Sequence, residues 1–185
     1  MWASMTPPCQ TLAMRPGTVV LGTRPEVVTL TELSFSWFRT KETRQECAYE
    51  GWTVDGVPLR QLVSFPPSPM VQQVTPIRNG QANHGYEADY LRAILAEEPP
   101  PEFAVMPDGR VPLLMCEADL HLYCGTLTAE IVRGDRVVVW RDFAWQVCQE
   151  PIAENAGELS ALTFTFDRHQ YDEVVRNLLD RALSS

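Results

Sequence analysis

Three features of the sequence predict an α+β fold, mainly an antiparallel β-sheet built of hairpins and packed with a mid-chain and a C-terminal helix. Two alternating apolar runs, residues 126–132 and 136–140, flank the turn Arg133-Gly134-Asp135, which is the pattern of a β-hairpin. Two amphipathic segments, one mid-chain and one at the C-terminus, sit among the strands without a regular strand-helix-strand rhythm. The strands alternate rather than running fully apolar, so one face of the sheet is expected to rest on the helices.

Composition sets the boundaries. The chain has 185 residues, 45% hydrophobic and 21% charged, enough for one domain with a real core. A formal net charge of −9 argues against nucleic acid and anionic membranes as partners. No apolar run reaches the roughly 18–20 residues of a membrane span. The N-terminal stretch lacks the basic-then-apolar order of a secretory signal, so a cytoplasmic location is expected. Five irregularly spaced cysteines fit reduced thiols better than a disulfide framework.

Residues 1–24, rich in Pro, Thr and Met, read as an irregular arm ahead of a single domain over 25–185. From Glu26 onward, Val28 and Leu30, then Leu33, Phe35 and Trp37, alternate with polar residues. A one-residue slip near Glu32 reads as a bulge in a long half-buried strand. Residues 44–54 alternate through Cys47, Tyr49 and Trp52 and end in the turn dipeptide Asp55-Gly56, making an antiparallel partner. Pro58 opens a short helical turn with Leu59 and Leu62 inward. Residues 64–85 show no sustained period and read as a long loop, either functional or mobile.

Tyr90, Leu91, Ile94 and Leu95 share one face of a helix over 86–97, stopped by Glu98 and Pro99-Pro100-Pro101. Residues 103–106 and 110–115, about Pro107-Asp108-Gly109, suggest another small hairpin. After Gln146 a connection rich in Glu, Asn and Gly leads to a strand with Leu162, Phe164 and Phe166 on one face. Asp167 caps the last helix, and Gln170 occupies the capping-box position. Tyr171, Val174, Val175, Leu178 and Leu179 form its apolar stripe. Arg176 and Arg181 lie toward its C-terminal end, where the helix dipole favours them.

Two constellations carry chemistry. Cys116-x4-His121-x2-Cys124 gathers thiolate and imidazole, the ligands zinc prefers, and ends in Gly125. A closed site needs a fourth ligand, from Cys47, Cys148, His84, His169 or Asp119, and neither half has the two-residue cysteine spacing. Cys116, His121 and Cys124 are therefore candidate ligands with no committed metal. Packing of the cysteines as small buried side chains is the simpler reading. A nucleophilic Cys-His pair would draw on His121 and Asp119, but five cysteines and three histidines produce such neighbours by chance.

The second constellation is Trp140-Arg141-Asp142-Phe143-Ala144-Trp145-Gln146. Alternation places Trp140, Asp142 and Ala144 on one face and Arg141, Phe143 and Trp145 on the other. Core closure by the tryptophans is the simpler reading. The functional one is an aromatic-acidic edge with Asp142 and Trp145 as partner contacts. No glycine-rich phosphate loop, no HExxH helix and no basic, aromatic-interleaved surface is present in the sequence.

The stretch resembles an uncharacterised group of bacterial, largely actinobacterial, proteins, some of them loosely labelled oxidoreductase. The shared pattern is a strand, a cysteine knuckle ending in Cys-Gly, a strand-GD-strand hairpin and a Trp-x-Asp-Phe ending. In this chain those are residues 113–116, 119–125 and 126–139, then Trp140, Asp142 and Phe143. Residues 54–59 and 166–171 are also similar. The resemblance implies a zinc site in the knuckle, from which Glu117, Ala118 and Asp119 depart. It implies no activity.

These readings lead to a non-catalytic binding protein with an acidic face. A protein-interaction or immunity/accessory protein of bacterial origin fits, with a second, basic protein as partner and no cofactor. The alternative is a zinc-stabilised domain of unknown activity, with or without enzymatic function.

Overall fold

The computed structural model describes residues 17–36, 39–63, 73–77, 84–97, 104–116, 125–147, 150–151 and 156–184. The architecture is α+β, with two antiparallel sheets and two main helices. Strands β1 (Leu21–Ser36) and β2 (Arg39–Val54) form a long ribbon. At about 3.3 Å per residue, sixteen-residue strands reach roughly 50 Å. Both Asp55 and Gly56 are left-handed, with φ of 50° and 76°, which is what a two-residue hairpin turn needs. They return the chain into β3 (Val57–Pro58), which pairs with the end of β2. Pro58 then opens α1 (Leu59–Leu62), whose Leu59 is buried.

Two expectations for the ribbon are corrected. The strand begins at Leu21, so residues 21–24 are sheet rather than arm, and Leu21 belongs to the core. The bulge near Glu32 does not occur, because pairing runs unbroken from Leu21↔Val54 to Ser36↔Arg39. The ribbon instead changes the face it buries. Leu21, Trp52 and Val54 enter the main core, whereas Val28, Cys47 and Tyr49 join Val74 in a second cluster. Positions 21 and 28 differ by an odd number, so they point to opposite faces without any insertion.

The second sheet has the order β4 (Gln73–Val74), β5 (Val111–Cys116), β6 (Thr126–Arg133), β7 (Val137–Val147) and β8 (Glu150–Pro151), with β9 (Phe164–Asp167) also on β7. The hairpin about Gly134 forms as expected, closed by Gly134 N donating to Val137 O at 2.8 Å. The small hairpin at Pro107 forms only in part. Its turn is present, with Met106 N donating to Arg110 O at 2.8 Å, but among the described residues only its second arm is a strand. The long loop of residues 64–85 contains β4, which pairs with Met115 and Cys116.

Helix α2 (His84–Ile94) buries Tyr90, Leu91 and Ile94, with Leu95 just beyond its end. It ends before the prolines. Ala96 turns left-handed at φ 48°, and Glu97 N reaches back to Arg92 O at 3.1 Å, which satisfies a last-turn carbonyl. A short α3 (Ala156–Ser160) occupies the connection after β8 and buries Leu159. Helix α4 (Arg168–Ser184) buries Tyr171, Val175, Leu178, Leu179 and Ala182.

Asp167 caps α4 as expected, its Oδ1 accepting from His169 N at 3.0 Å and Gln170 N at 3.3 Å. Gln170 does not complete a capping box. Its amide takes Leu21 in both directions, Nε2 donating to Leu21 O at 2.6 Å and Oε1 accepting from Leu21 N at 3.1 Å.

Helices α2 and α4 pack on each other and on the sheet face carrying Leu127, Ala129, Val138 and Trp140. Trp140 sits at the crossing, edge-on to Trp52 at 5.9 Å, Phe166 at 5.0 Å and Tyr171 at 6.2 Å between ring centroids.

Candidate partner-binding surface

Strand β7 loses its alternation where the candidate residues lie. Glu130 pairs with Arg141 but Thr128 pairs with Ala144, so β7 carries one extra residue opposite β6. Asp142 takes the strain, with φ 51°. The insertion resets the faces, and Trp140, Phe143 and Trp145 all enter the core. Trp145 is 7% exposed, and its ring covers Gly125, where a Cβ would lie 3.6 Å away. Trp145 thus closes the core, as the simpler reading of the tryptophans had it, and of the two candidate contacts only Asp142 reaches solvent.

Arg110 holds the bulge. Its guanidinium donates to the Asp142 carbonyl and, at 2.6 Å, to Asp142 Oδ2. The same side chain donates through Nε to Asp108 Oδ2 at 3.1 Å, and that oxygen also accepts from Gln146 Nε2 at 2.9 Å. Beside them Arg141 grips Glu130 with two bonds, at 2.8 and 3.2 Å, and this pairing holds the Glu130 carboxyl below its usual range. The Asp142 side chain is 52% exposed and that of Arg110 18%, so the carboxylate faces outward and the guanidinium lies behind it. Asp108 and Arg110 carried no functional signal in the sequence. The turn Pro107-Asp108-Gly109 was legible, but its distance from Asp142 was not.

A buried carboxylate marks the base of the ribbon. Glu26 accepts from Arg24 Nε at 2.7 Å and Tyr49 Oη at 2.5 Å, with Arg60 3.4 Å away. Burial, then the Glu26 hydrogen bond and charge, push the Tyr49 phenol far above its usual range. Gly51 makes room, since a Cβ there would lie 2.8 Å from Glu26 Cδ. The carboxylate itself is buried, while the two arginines paired with it are 43% and 36% exposed and carry the pairing out to solvent. A shallow groove of about 300 Å³ runs between the β6–β7 turn and the start of α4. Asp135, Arg136, Arg168, His169 and Asp172 line it, with charges of both signs.

Of the candidate zinc ligands, Cys116 is buried on β5, while His121 and Cys124 lie outside the described residues, as does the knuckle between them. Among the described residues no three His, Cys, Asp or Glu side chains are grouped to hold a metal ion. No described helix is long and apolar enough to cross a membrane.

Fold and surface together define an α+β domain with a charged, bulge-centred patch. No family model matches the chain, and no curated protein or solved structure matches it either.

Proposed function

We propose that this domain works by binding a basic protein partner through exposed carboxylates, with Asp142, half-exposed and shared with Arg110, among the contacts. The observation that carries the reading is how the arginines are used. Arg24 and Arg60 turn to Glu26, Arg110 to Asp108 and Asp142, Arg133 to Asp172, Arg141 to Glu130, and Arg181 to Glu50. Much of the positive charge is thus neutralised internally. Glu158, Glu173 and Asp180 are exposed and form no ion pair among the described residues. With a net charge of −9, the surplus acid faces outward and steers a cationic surface toward the molecule. An immunity or accessory protein, which must mask a basic counterpart, is a setting that suits this charge.

The test is affinity capture with the full chain as bait in extract of its own source cells. A stoichiometric basic partner is expected, released as salt rises to about 0.5 M, where screening is short-ranged. Asp142→Lys should weaken the capture. Binding indifferent to salt and to that substitution, or turnover of a small molecule by the partner-free chain, would overturn the reading.

A further inference from the structure

We infer that the far end of the β6–β7 pair binds one water-sized hydrogen-bond donor, water or ammonium, between Thr126 and Gln146. The two residues are direct cross-strand partners, so their side chains leave the sheet side by side on one face. Both have a relative exposure of 0%. A carboxylate can only accept, so the 2.9 Å contact with Asp108 fixes Nε2 toward Asp108 and leaves Oε1 as the other end of the Gln146 amide.

Gln146 Oε1 has no hydrogen-bond partner among the described residues, and neither has Thr126 Oγ1. The contrast is Thr128, two residues along the same face, whose hydroxyl donates to Ala144 O at 3.1 Å. Buried oxygens are paired as a rule, and a hydroxyl and an amide oxygen on adjacent strands are satisfied together by one small species that donates to Oε1 and also bonds the hydroxyl. An apolar occupant would satisfy neither, and a larger ligand would need an opening that two fully buried side chains do not offer. The site is the buried end of the Gln146–Asp108–Arg110–Asp142 network, and it stands whether or not Asp142 meets a partner.

Thr126→Val keeps the shape of the side chain and deletes one of the two oxygens. With a donor bound, the variant leaves it half-satisfied, and Tm is expected to fall by about 2–4 °C. An unchanged or higher Tm would mean that a solitary hydroxyl had been removed, and would overturn the inference. A high-resolution crystal structure of the full chain is the second readout. Density within hydrogen-bond distance of both Oγ1 and Oε1 is expected, and a protein donor filling that place overturns the proposal. Where the density is present, a higher Tm in ammonium chloride than in sodium chloride at equal ionic strength identifies ammonium. Equal values identify water.

Discussion

The β1–β2 ribbon and the β5–β6–β7 sheet each place a tryptophan in the core beside a helical tyrosine, but they hold it differently. Trp52 of the ribbon donates to Tyr90 Oη of α2 at 2.8 Å. Trp140 of the larger sheet donates to Tyr171 Oη of α4 at 3.0 Å, and Tyr171 donates on to Ile94 O at 2.7 Å. Around Trp140 every residue of β5 is buried, and β7 has β9 along one end of its outer edge and β8 along the other. Packing holds that sheet. The ribbon buries side chains at its base, and polar contacts order it there: Glu26 with Tyr49, and Asp55 with Val20 at 2.8 and 2.9 Å, join its own two strands, while Gln170 ties Leu21 to α4. Where packing surrounds a strand, shape fixes it. At the base of the ribbon, directional bonds add to the packing.

The largest test strikes both tryptophan sites at once. Burial raises the pKa of Tyr90 and Tyr171 well above the usual phenol value, and pushes Tyr86 up to about 12. A pKa higher in the folded than in the unfolded state means that folding favours the proton. The associated stability is complete below the unfolded value of about 10 and is lost as pH rises through the folded values. Cooperative loss of circular dichroism is therefore expected above pH 10, with the Tyr86 share lost by about pH 12. Ionisation of Tyr90 or Tyr171 at pH 10 with the fold intact, seen by loss of the titration step in Tyr90→Phe or Tyr171→Phe, would refute the shared arrangement.

Trp140→Ala comes next. It removes the ring that joins both sheets to α4 and should cost about 3–5 kcal/mol in urea unfolding. The same assay should separate the polar attachments of the ribbon from that packed centre. Gly51→Ala drives a methyl group into Glu26 and should cost about 1–3 kcal/mol, lowering the protection of ribbon-base amides in hydrogen exchange. If those amides stay as protected as before, Glu26 is not the tie that holds the base. Gln170→Ala strips both bonds from Leu21 and should cost about 1–2 kcal/mol, with faster exchange at Leu21 and little change at Trp140.

The smallest effect belongs to the bulge. Asp142→Gly relieves a left-handed residue while removing a half-exposed ion pair, and these offset to within about 0.5 kcal/mol. Asp142→Ala keeps the strain and loses the pair, so it should be the less stable of the two. Equal stabilities would show that the bulge carries no backbone strain.

Local pattern made much of the fold legible. The hairpin about Gly134, the buried stripes of α2 and α4 and the Asp167 cap each depend on residues within a few positions of one another, at periods of two or 3.6. Asp142 was singled out for the same reason, as a charged residue beside tryptophans. Its neighbour Trp145 was misplaced because a single inserted residue inverts alternation, and nothing local announces the insertion. The partners that decide such points lie far along the chain. Arg110 reaches Asp142 across 32 positions, Tyr49 reaches Glu26 across 23, and Gln170 reaches Leu21 across 149.

The sequence by itself therefore determined the Gly134 hairpin, the buried stripes of α2 and α4, the Asp167 cap and the acidic balance of the chain, because periodicity and charge are properties of neighbouring residues. Tertiary structure alone decided which ribbon face is buried at each point, where β7 bulges, and which carboxylates are tied inward rather than left to meet a partner. Those outcomes depend on distances between residues remote in sequence, which no local pattern encodes.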